Sequence, residues 1–311
     1  MSKPPTTPHP RRAPGAPRTP RPERPAQAAT QGPAPDPGDG SAPGDRIAKV
    51  LARAGIASRR AAEAMIAEGR VAVNGTRLDS PALNVTPADR ITVDGKPLAA
   101  PEAPRLWLYH KPAGLVTTTR DEHGRPTVFD ALPDDLPRVL SIGRLDLNSE
   151  GLLLLTNDGG IKRRLELPAT GWVRKYRVRI KGAPSDDALA PLRRGIAVDG
   201  ERFQPMAATL DRQQGANAWL TLGLREGRNR EIRRAMEYLG FSVNRLIRIS
   251  YGPFQLGDLA PGAVDEIKPR ILRDQLGLPG DTARPDAPAP AKPARRRAAR
   301  PAALAKPPRR T

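Results

Sequence analysis

Residues 143–159 read GRLDLNSEGLLLLTNDG, and this segment constrains the fold more than any other part of the chain. The apolar run at residues 152–155 is short and ends at an Asn-Asp-Gly turn signal, which favours a buried strand over a helix. Asp146 precedes that run in a loop that contains glycine. An aspartate in such a loop is most often a turn former. The pattern nevertheless predicts a single carboxylate held rigidly at the edge of a buried strand.

A large excess of positive charge indicates a polyanionic partner. Lys and Arg number 52 against 33 Asp and Glu, which gives a formal net charge of +19 and a pI near 11.1. Such cations supply the part of nucleic-acid affinity that comes from neutralising phosphates. A membrane surface is the competing polyanion, but no run approaches the roughly 18 apolar residues of a spanning helix, and a signal-peptide core is missing. We expect a soluble, cytoplasmic protein without membrane contact.

The side chains that carry metal and thiol chemistry are scarce. Cysteine is absent, which excludes disulfides, thiolate zinc sites and cysteine nucleophiles. The three histidines, His9, His110 and His123, are too scattered to indicate a metal cluster. We therefore expect no metal and no cofactor, and chemistry that depends on carboxylate, arginine and tyrosine.

Both ends of the chain are rich in proline. Residues 1–43 hold 13 of the 37 prolines, and residues 281–311 hold seven more where long apolar side chains are nearly missing. Neither end can bury enough surface to offset chain entropy, so residues 1–43 and 279–311 are predicted to be disordered. The second tail carries nine Lys or Arg against Asp281 and Asp286, for a net +7. It is either a solubilising tail or a loose electrostatic tether on RNA.

A small module with two helices and two hairpins is predicted after the first tail. Apolar residues at helical spacing indicate a helix that begins near Ile47 and ends at Gly55, and Ser58 can cap a second helix that stops at Gly69. Two short strands then end in Asn-Gly and Asp-Gly turns at residues 74–75 and 94–95. The exposed positions are basic, including Arg46, Lys49, Arg53, Arg59, Arg60 and Arg70. As a bare pattern, a basic helix face is usually only a solvated face.

This module resembles the S4 RNA-binding domain. The likeness rests on the order RIAKVLARAGIASRR through GRVAVNG, and is most specific in Ala-Ser-Arg-Arg and Val-Asn-Gly. It implies an S4 domain of the alpha-L type over residues 44–98, which holds RNA by shape and phosphate contacts.

Three further patterns follow a short proline-containing linker at residues 99–104. A strand-like run begins at residue 106, and the alternation at residues 174–180 predicts a strand with Tyr176, Val178 and Ile180 on one face. A strand tyrosine of this kind is more often a core residue than a functional one. Residues 225–234 hold five arginines at the start of a helix whose apolar stripe is Ile232, Ala235, Met236 and Leu239. These positive charges repel one another and are unfavourable at the start of a helix, where the helix dipole is also positive. A nearby anion is therefore expected.

These motifs resemble, in order, those of the bacterial ribosomal RNA pseudouridine synthases of the RsuA/RluB/RluE/RluF family. The matching segments are HKPAGLVTT, RPTVFDALP, GRLD with the strand that follows it, the basic-x-Tyr of residues 174–176, EGRNREIRRAM, NRLIR and YGPFQL. Glu231 stands where the family usually has Gln, and Met236 comes one position late. The resemblance implies an α+β catalytic domain on a mixed, largely antiparallel sheet over residues 105–278, with a cleft across its middle.

The same resemblance implies roles for individual residues. Asp146 matches the catalytic aspartate, Arg233 the arginine that pairs with it, Tyr176 the ring that packs against the target base, and Leu246 lines the base pocket or serves only the core. Lys111 belongs to the framework or contacts RNA. The positions expected to contact RNA are Arg46, Lys49, Arg59, Arg60, Lys111, Arg144, Arg174, Arg228, Arg230 and Arg245.

The implied reaction is the isomerisation of a uridine in ribosomal RNA to pseudouridine, by a monomer. Large-subunit (23S) RNA or its precursor is favoured because the RPTVFD stretch and the basic C-terminal tail look most like the RluB group. Two other readings stay open here. A non-catalytic S4 ribosome-assembly factor explains the RNA binding but not the ordered set Asp146, Tyr176 and Arg233. A DNA-binding architectural protein explains only the tails.

Overall fold

The computed structural model describes residues 44–167 and 170–277. The two tails predicted to be disordered lie outside these residues. The predicted N-terminal module is formed by two helices against a small sheet. Its elements are β1 (Asp45–Arg46), α1 (Ile47–Arg53), α2 (Arg59–Ala67), β2 (Val71–Val73), β3 (Thr76–Arg77), β4 (Asn84–Val85), β5 (Ile91–Val93) and β6 (Lys96–Pro97).

Local chemistry explains the ends of these elements. The Ser58 hydroxyl accepts a hydrogen bond from the Ala61 amide at 3.1 Å and so caps α2. Asn74 and Asp94 have φ of 53° and 49°, each followed by a glycine with positive φ, as the tight hairpin turns require. The sheet order is β3-β2-β5-β6, and Ile47, Leu51 and Ile66 are buried against it. The two predicted helices, the Ser58 cap and the two hairpin turns are therefore confirmed.

A nine-stranded mixed sheet dominates the rest of the described chain. Its main path is β13-β14-β10-β15-β9-β7-β17, with β16 beside β15 and β8 beside β9. The strands are β7 (Leu106–Lys111), β8 (Leu140–Ile142), β9 (Glu150–Thr156), β10 (Arg174–Lys181), β13 (Ala207–Gln214), β14 (Asn217–Leu224), β15 (Ser242–Tyr251), β16 (Phe254–Gln255) and β17 (Val264–Glu266). A separate hairpin joins β11 (Ala197–Val198) to β12 (Glu201–Arg202). The predicted α+β class is confirmed.

The sheet changes direction at its centre. Strands β9 and β15 form the parallel pair, through Ile247 opposite Glu150 and Arg248 opposite Gly151, whereas the other neighbours are antiparallel. Strand β9 pairs with β15 at its first two residues and with β8 at its last three, while β7 runs along its other edge. The partner of β9 on this edge therefore changes from β15 to β8 after residue 151, and the Asp146 loop leads into the start of β9.

Helices cover the sheet and close two cores. They are α3 (Gly159–Glu166), α4 (Asp186–Arg194), α5 (Glu231–Tyr238) and α6 (Pro269–Leu276), with a 3₁₀ helix at Phe129–Ala131. Leu189, Ile232 and Met236 pack with β10, β13, β14 and β15, whereas Ile161, Leu165 and Leu272 pack with β7 and β9. Residues 152–155 are fully buried, as a central strand requires.

Candidate active site

A cleft of about 1210 Å³ is lined by Asp146, which lies in the loop before β9. Tyr176 on β10 and Leu246 on β15 line the same cleft. The cations expected at RNA are also represented in its wall, by Arg144, Arg174, Arg228 and Arg230. Tertiary folding has thus brought together residues that are 100 positions apart in sequence.

The Asp146 loop is held by its backbone carbonyl groups. The Thr117 hydroxyl donates to the Leu145 carbonyl at 2.8 Å, and the Ser149 amide donates to the Asp146 carbonyl at 3.0 Å. The Gly114 amide donates to the Leu147 carbonyl at 2.8 Å. These bonds hold the backbone of the loop without engaging the carboxylate of Asp146, a residue that lines the cleft.

Lys111 is the second support of this loop. Its ammonium group donates to the carbonyls of Ser149 at 2.9 Å, Pro112 at 3.0 Å and Leu147 at 3.3 Å. The side chain is 0% exposed, and burial lowers its pKa from 10.5 to about 8, opposed by the nearby carboxylates of Asp146 and Glu150. Zero exposure contradicts the predicted RNA contact, because no phosphate can reach the ammonium, and agrees with the framework role.

Arg233 supports the loop from α5 and does not form the predicted ion pair with Asp146 among the described residues. Its Nη2 donates to the Asn148 carbonyl at 2.8 Å, and its Nη1 donates to the Val243 carbonyl at 3.2 Å. Burial and the neighbouring Arg230 lower the pKa of Arg233, whereas the negative charge of Asp146 raises it. Arg233 is therefore close enough to act on Asp146 through its charge while it binds the backbone beside it.

Tyr176 stands at a bulge in the sheet. Lys175 lies opposite Ser250 and Tyr176 lies opposite Arg248, so that one residue of β15, Ile249, is left over. The Tyr176 ring is half-buried and packs against both the core under α5 and the core around Leu145. Its partial exposure to the cleft is the property that a stacking platform needs.

The arginines at the start of α5 find their counter-charges within the protein. Glu201 of β12 accepts from Arg228 and from Arg234, both at 2.6 Å, and Glu226 accepts from Arg228 at 2.8 Å. These arginines lower the pKa of Glu201. Glu201, which stands 27 residues before Arg228, is therefore one of the anions that the sequence pattern predicted near these arginines.

Glu231 is a buried carboxyl group at the first position of α5. Its Oε2 accepts the Arg228 amide at 3.0 Å, whereas its Oε1 is buried and lacks a partner in the described structure. Burial raises its pKa from 4.5 to about 7, and the negative charge of Glu226 adds to that rise. The difference from the family's Gln at this position therefore places a partly protonated carboxyl group in the wall of the cleft.

Other predicted RNA contacts lie away from the cleft. Arg245 is exposed and donates through Nε and Nη2 to both carboxylate oxygens of Glu150, at 2.9 and 2.8 Å. Arg59 and Arg60 are exposed on α2, Lys49 pairs with Asp45 at 2.5 Å, and Arg46 donates to the Ala82 carbonyl.

Arg248 is a residue of the cleft wall to which sequence reasoning gave no role. It belongs to the NRLIR motif, yet only Leu246 and Arg245 were assigned from that motif. The signal was available, because residues two apart on a strand share a face, so that Arg248 must accompany Leu246 into the cleft. A basic residue on the buried face of a strand indicated that Arg248 has a role in the cleft.

Comparison with known proteins defines the class of this protein. The profile described as RNA pseudouridylate synthase matches residues 105–238, and the S4 domain profile matches residues 45–91. An uncharacterized RNA pseudouridine synthase of Rickettsia felis is 49% identical over 227 residues, which cover 73% of this chain and 98% of that protein. The chain therefore belongs to the RNA pseudouridine synthase family.

Two further relatives agree with this membership. Ribosomal large subunit pseudouridine synthase B of Pseudomonas aeruginosa is 40% identical over 245 residues, 76% of this chain and 63% of that protein. A crystal structure of a pseudouridylate synthase covers 74% of this chain and 98% of its own, with 26% identity and a TM-score of 0.52. No helix in the two described ranges is long and apolar enough to cross a membrane.

Proposed function

We propose that this enzyme isomerises a uridine of ribosomal RNA to pseudouridine and that Asp146 is its catalytic carboxylate. The observation that carries the proposal is the Asp146 loop, whose backbone is bonded from three sides while its carboxylate lines the cleft. A large-subunit RNA is the favoured substrate, since relatives such as the Pseudomonas enzyme carry that name. The reaction breaks the bond from N1 to C1′, turns the uracil, and joins C5 to C1′.

The residues of the cleft supply what this reaction requires. A uridine in folded RNA hides its glycosidic bond, so the enzyme must extrude the nucleotide and replace the stacking that it loses. Tyr176 provides that ring, and Leu246 provides an apolar wall beside it. Arg233 binds the Asn148 carbonyl and so holds the loop that carries Asp146. The reaction is neutral in electrons and transfers no group away from the nucleotide, so these side chains need no cofactor.

The cations outside the base pocket serve the RNA backbone in this proposal. Arg144, Arg174, Arg228 and Arg230 lie along the cleft, and the exposed basic residues of α1 and α2 extend this surface to an S4 domain at residues 44–98. The catalytic domain spans residues 105–278 after a linker at residues 99–104. The protein acts as a monomer in the cytoplasm, where ribosomal RNA is found.

Replacement of Asp146 tests the assignment directly. Asp146→Asn preserves size and removes the charge, so release of tritium from uracil C5-labelled ribosomal RNA is expected to vanish while RNA affinity stays within a few fold. Asp135→Asn, at an exposed loop position, is the matched control and should be fully active. Turnover of Asp146→Asn above about one per cent of wild type, which is about 3 kcal/mol of transition-state stabilisation, contradicts the role of Asp146. Binding without tritium release by the wild type favours the non-catalytic assembly factor.

A further inference from the structure

Arg248 is a buried cation that is only partly satisfied. Its side chain is 2% exposed, its Nε donates to the Leu152 carbonyl at 2.7 Å, and its guanidinium lies 5.3 Å from the centroid of the Tyr251 ring. Its Nη2 is buried and has no hydrogen-bond partner among the described residues, although Arg248 lines the cleft. An unpaired buried donor is costly, so a partner that arrives with the substrate gains the full value of the bond.

The backbone fixes where this guanidinium lies. Arg248 is directly opposite Tyr176 across the bulge, and directly opposite residues of neighbouring strands project to the same face. On its other edge Arg248 pairs with Gly151, whose φ is +99° and whose missing Cβ would lie 2.3 Å from the Arg248 carbonyl oxygen. The close approach of β9 thus sets the position of Arg248 relative to the ring of Tyr176.

Burial distinguishes Arg248 from the cations suited to phosphate. Arg228 and Arg245 are exposed, as expected of groups that meet the charged RNA backbone at a surface. Both already form ion pairs with carboxylates of the protein. Arg248 is nearly inaccessible, and only a group that enters the cleft can reach it. In the reaction proposed above, that group is the extruded base.

We propose that Arg248 is a substrate-positioning residue whose guanidinium group donates a hydrogen bond to a carbonyl oxygen of the flipped uracil. The inference rests on the proposed function. Transfer of the glycosidic bond from N1 to C5 requires the ring to turn half a revolution about the axis through N3 and C6, and this turn exchanges O2 with O4. One fixed donor therefore meets a carbonyl oxygen before the turn and the other carbonyl oxygen after it. Cytosine carries an amino group in place of O4 and cannot satisfy the donor in both orientations.

The first test uses the wild-type enzyme and needs no variant. After the target uridine has been mapped, short RNAs are prepared that carry uridine, 2-thiouridine or 4-thiouridine there, because sulfur is a weaker acceptor than oxygen. Single-turnover rates with both thio-substituted RNAs are expected to fall about tenfold, while RNA affinity stays within about threefold. Equal rates with all three RNAs overturn the proposal.

The second test separates the hydrogen bond from the electronic effect of sulfur. Arg248→Met removes the donors and is expected to lower the rate on uridine at least tenfold, with no further loss on either thio-substituted RNA. Arg248→Lys, which keeps a charge and a donor, should recover part of the rate. Arg179→Met, an exposed arginine on β10 that does not line the cleft, is the control and should behave as wild type.

The outcomes keep the two proposals apart. If Arg248→Met retains the thio effects of the wild type, the donor does not contact the base and the inference fails while the enzyme remains a synthase. If the wild type releases no tritium from ribosomal RNA, the proposed function itself fails. Thermal unfolding of each variant shows whether a loss of rate reflects a loss of fold. If Arg248→Met is unfolded, the rates of the wild-type enzyme on the thio-substituted RNAs decide whether the proposal holds.

Discussion

Lys111, which is buried, and Arg233, which is partly buried, show how cations can position an acid with which they form no hydrogen bond. Lys111 donates to the carbonyls of Leu147 and Ser149, and Arg233 donates to the carbonyl of Asn148 between them. Cationic donors make stronger hydrogen bonds to carbonyl groups than neutral donors do. The hydrogen bonds from these two cations restrain the backbone of the loop that carries Asp146.

Loss of the Lys111 ammonium is expected to impair turnover more than binding. Lys111→Met keeps most of the volume but leaves the Ser149 carbonyl without its donor, so the free energy of unfolding should fall by about 1 to 2 kcal/mol. Turnover is expected to drop at least tenfold at unchanged RNA affinity, because the loop can move. Lys181→Met, at the exposed end of β10, is the control. A Lys111→Met enzyme with normal turnover in the tritium assay would show that the loop does not depend on this cation.

Glu231 predicts how stability depends on pH. Its folded pKa of about 7 exceeds the usual 4.5, so the folded protein holds a proton that the unfolded chain has lost between these values. This contribution to stability is complete below pH 4.5 and is lost as the pH rises through about 7. Glu231→Gln removes that loss, so its free energy of unfolding at pH 8 should exceed that of wild type by about 1.4 kcal/mol for each unit of pKa shift.

The control for this prediction lies on the same helix. Glu237→Gln changes an exposed carboxylate near the end of α5 and should leave the difference between pH 5 and pH 8 as in the wild type. Urea unfolding at the two pH values measures the effect. The prediction fails if Glu231→Gln is no more stable than wild type at pH 8.

At the scale of elements, the parallel pairing of β9 with β15 decides the shape of the cleft. It involves two residues of each strand, and it is possible because Gly151 has no side chain toward Arg248. Beyond this point β15 leaves β9, and β8 takes its place.

Gly151→Ala should therefore disturb the centre of the sheet. The alanine would have to adopt φ near +99° and place its Cβ 2.3 Å from a backbone oxygen, so a loss of about 2 to 4 kcal/mol in unfolding free energy is expected. Activity should fall with it, since Leu246 and Arg248 shift with β15. Gly159→Ala, at the first position of α3 with no atom within 4 Å of the added methyl, should be neutral or slightly stabilising. Urea denaturation compares the two variants, and equal stability contradicts this account.

At the scale of the whole molecule, the net charge of +19 is divided between the described residues and the two tails. Within the described residues many arginines hold carboxylates, as Arg228, Arg234 and Arg245 do. Residues 281–311 contribute a net +7 and lie outside the described part of the chain. Several of these arginines are therefore already paired with neighbouring carboxylates, and we expect the net +7 of residues 281–311 to add to the long-range attraction to RNA.

Deletion of residues 281–311 should weaken binding to all structured RNAs alike and flatten the dependence of affinity on salt, because fewer counterions are released. Deletion of residues 44–98 should instead reduce affinity mainly for the cognate RNA, since a fixed module can read the shape around the target. Salt titrations with cognate and unrelated RNA compare the two deletions. A tail deletion that affects only the cognate RNA contradicts this division of labour.

The sequence by itself determined the elements whose causes are local. The Ser58 cap, the hairpin turn at Asn74 and the apolar face of α5 each depend on residues within one or two turns of chain. The ordered motifs also indicated the family and placed Asp146, Tyr176 and Leu246 together. Such features can be predicted from the sequence because turn chemistry and helical periodicity depend on residues that are close together in the chain.

Only the tertiary structure decided which charges are buried and what they bind. Lys111 reads as a loop lysine, yet a carbonyl 38 residues away holds it in the interior. Arg233 binds Asn148 across 85 residues, and Arg248 binds Leu152 across 96. Desolvation and hydrogen bonding depend on which groups surround an atom in space, and no local pattern encodes that neighbourhood. The acid is visible in the sequence, but the framework that positions it is assembled only by folding.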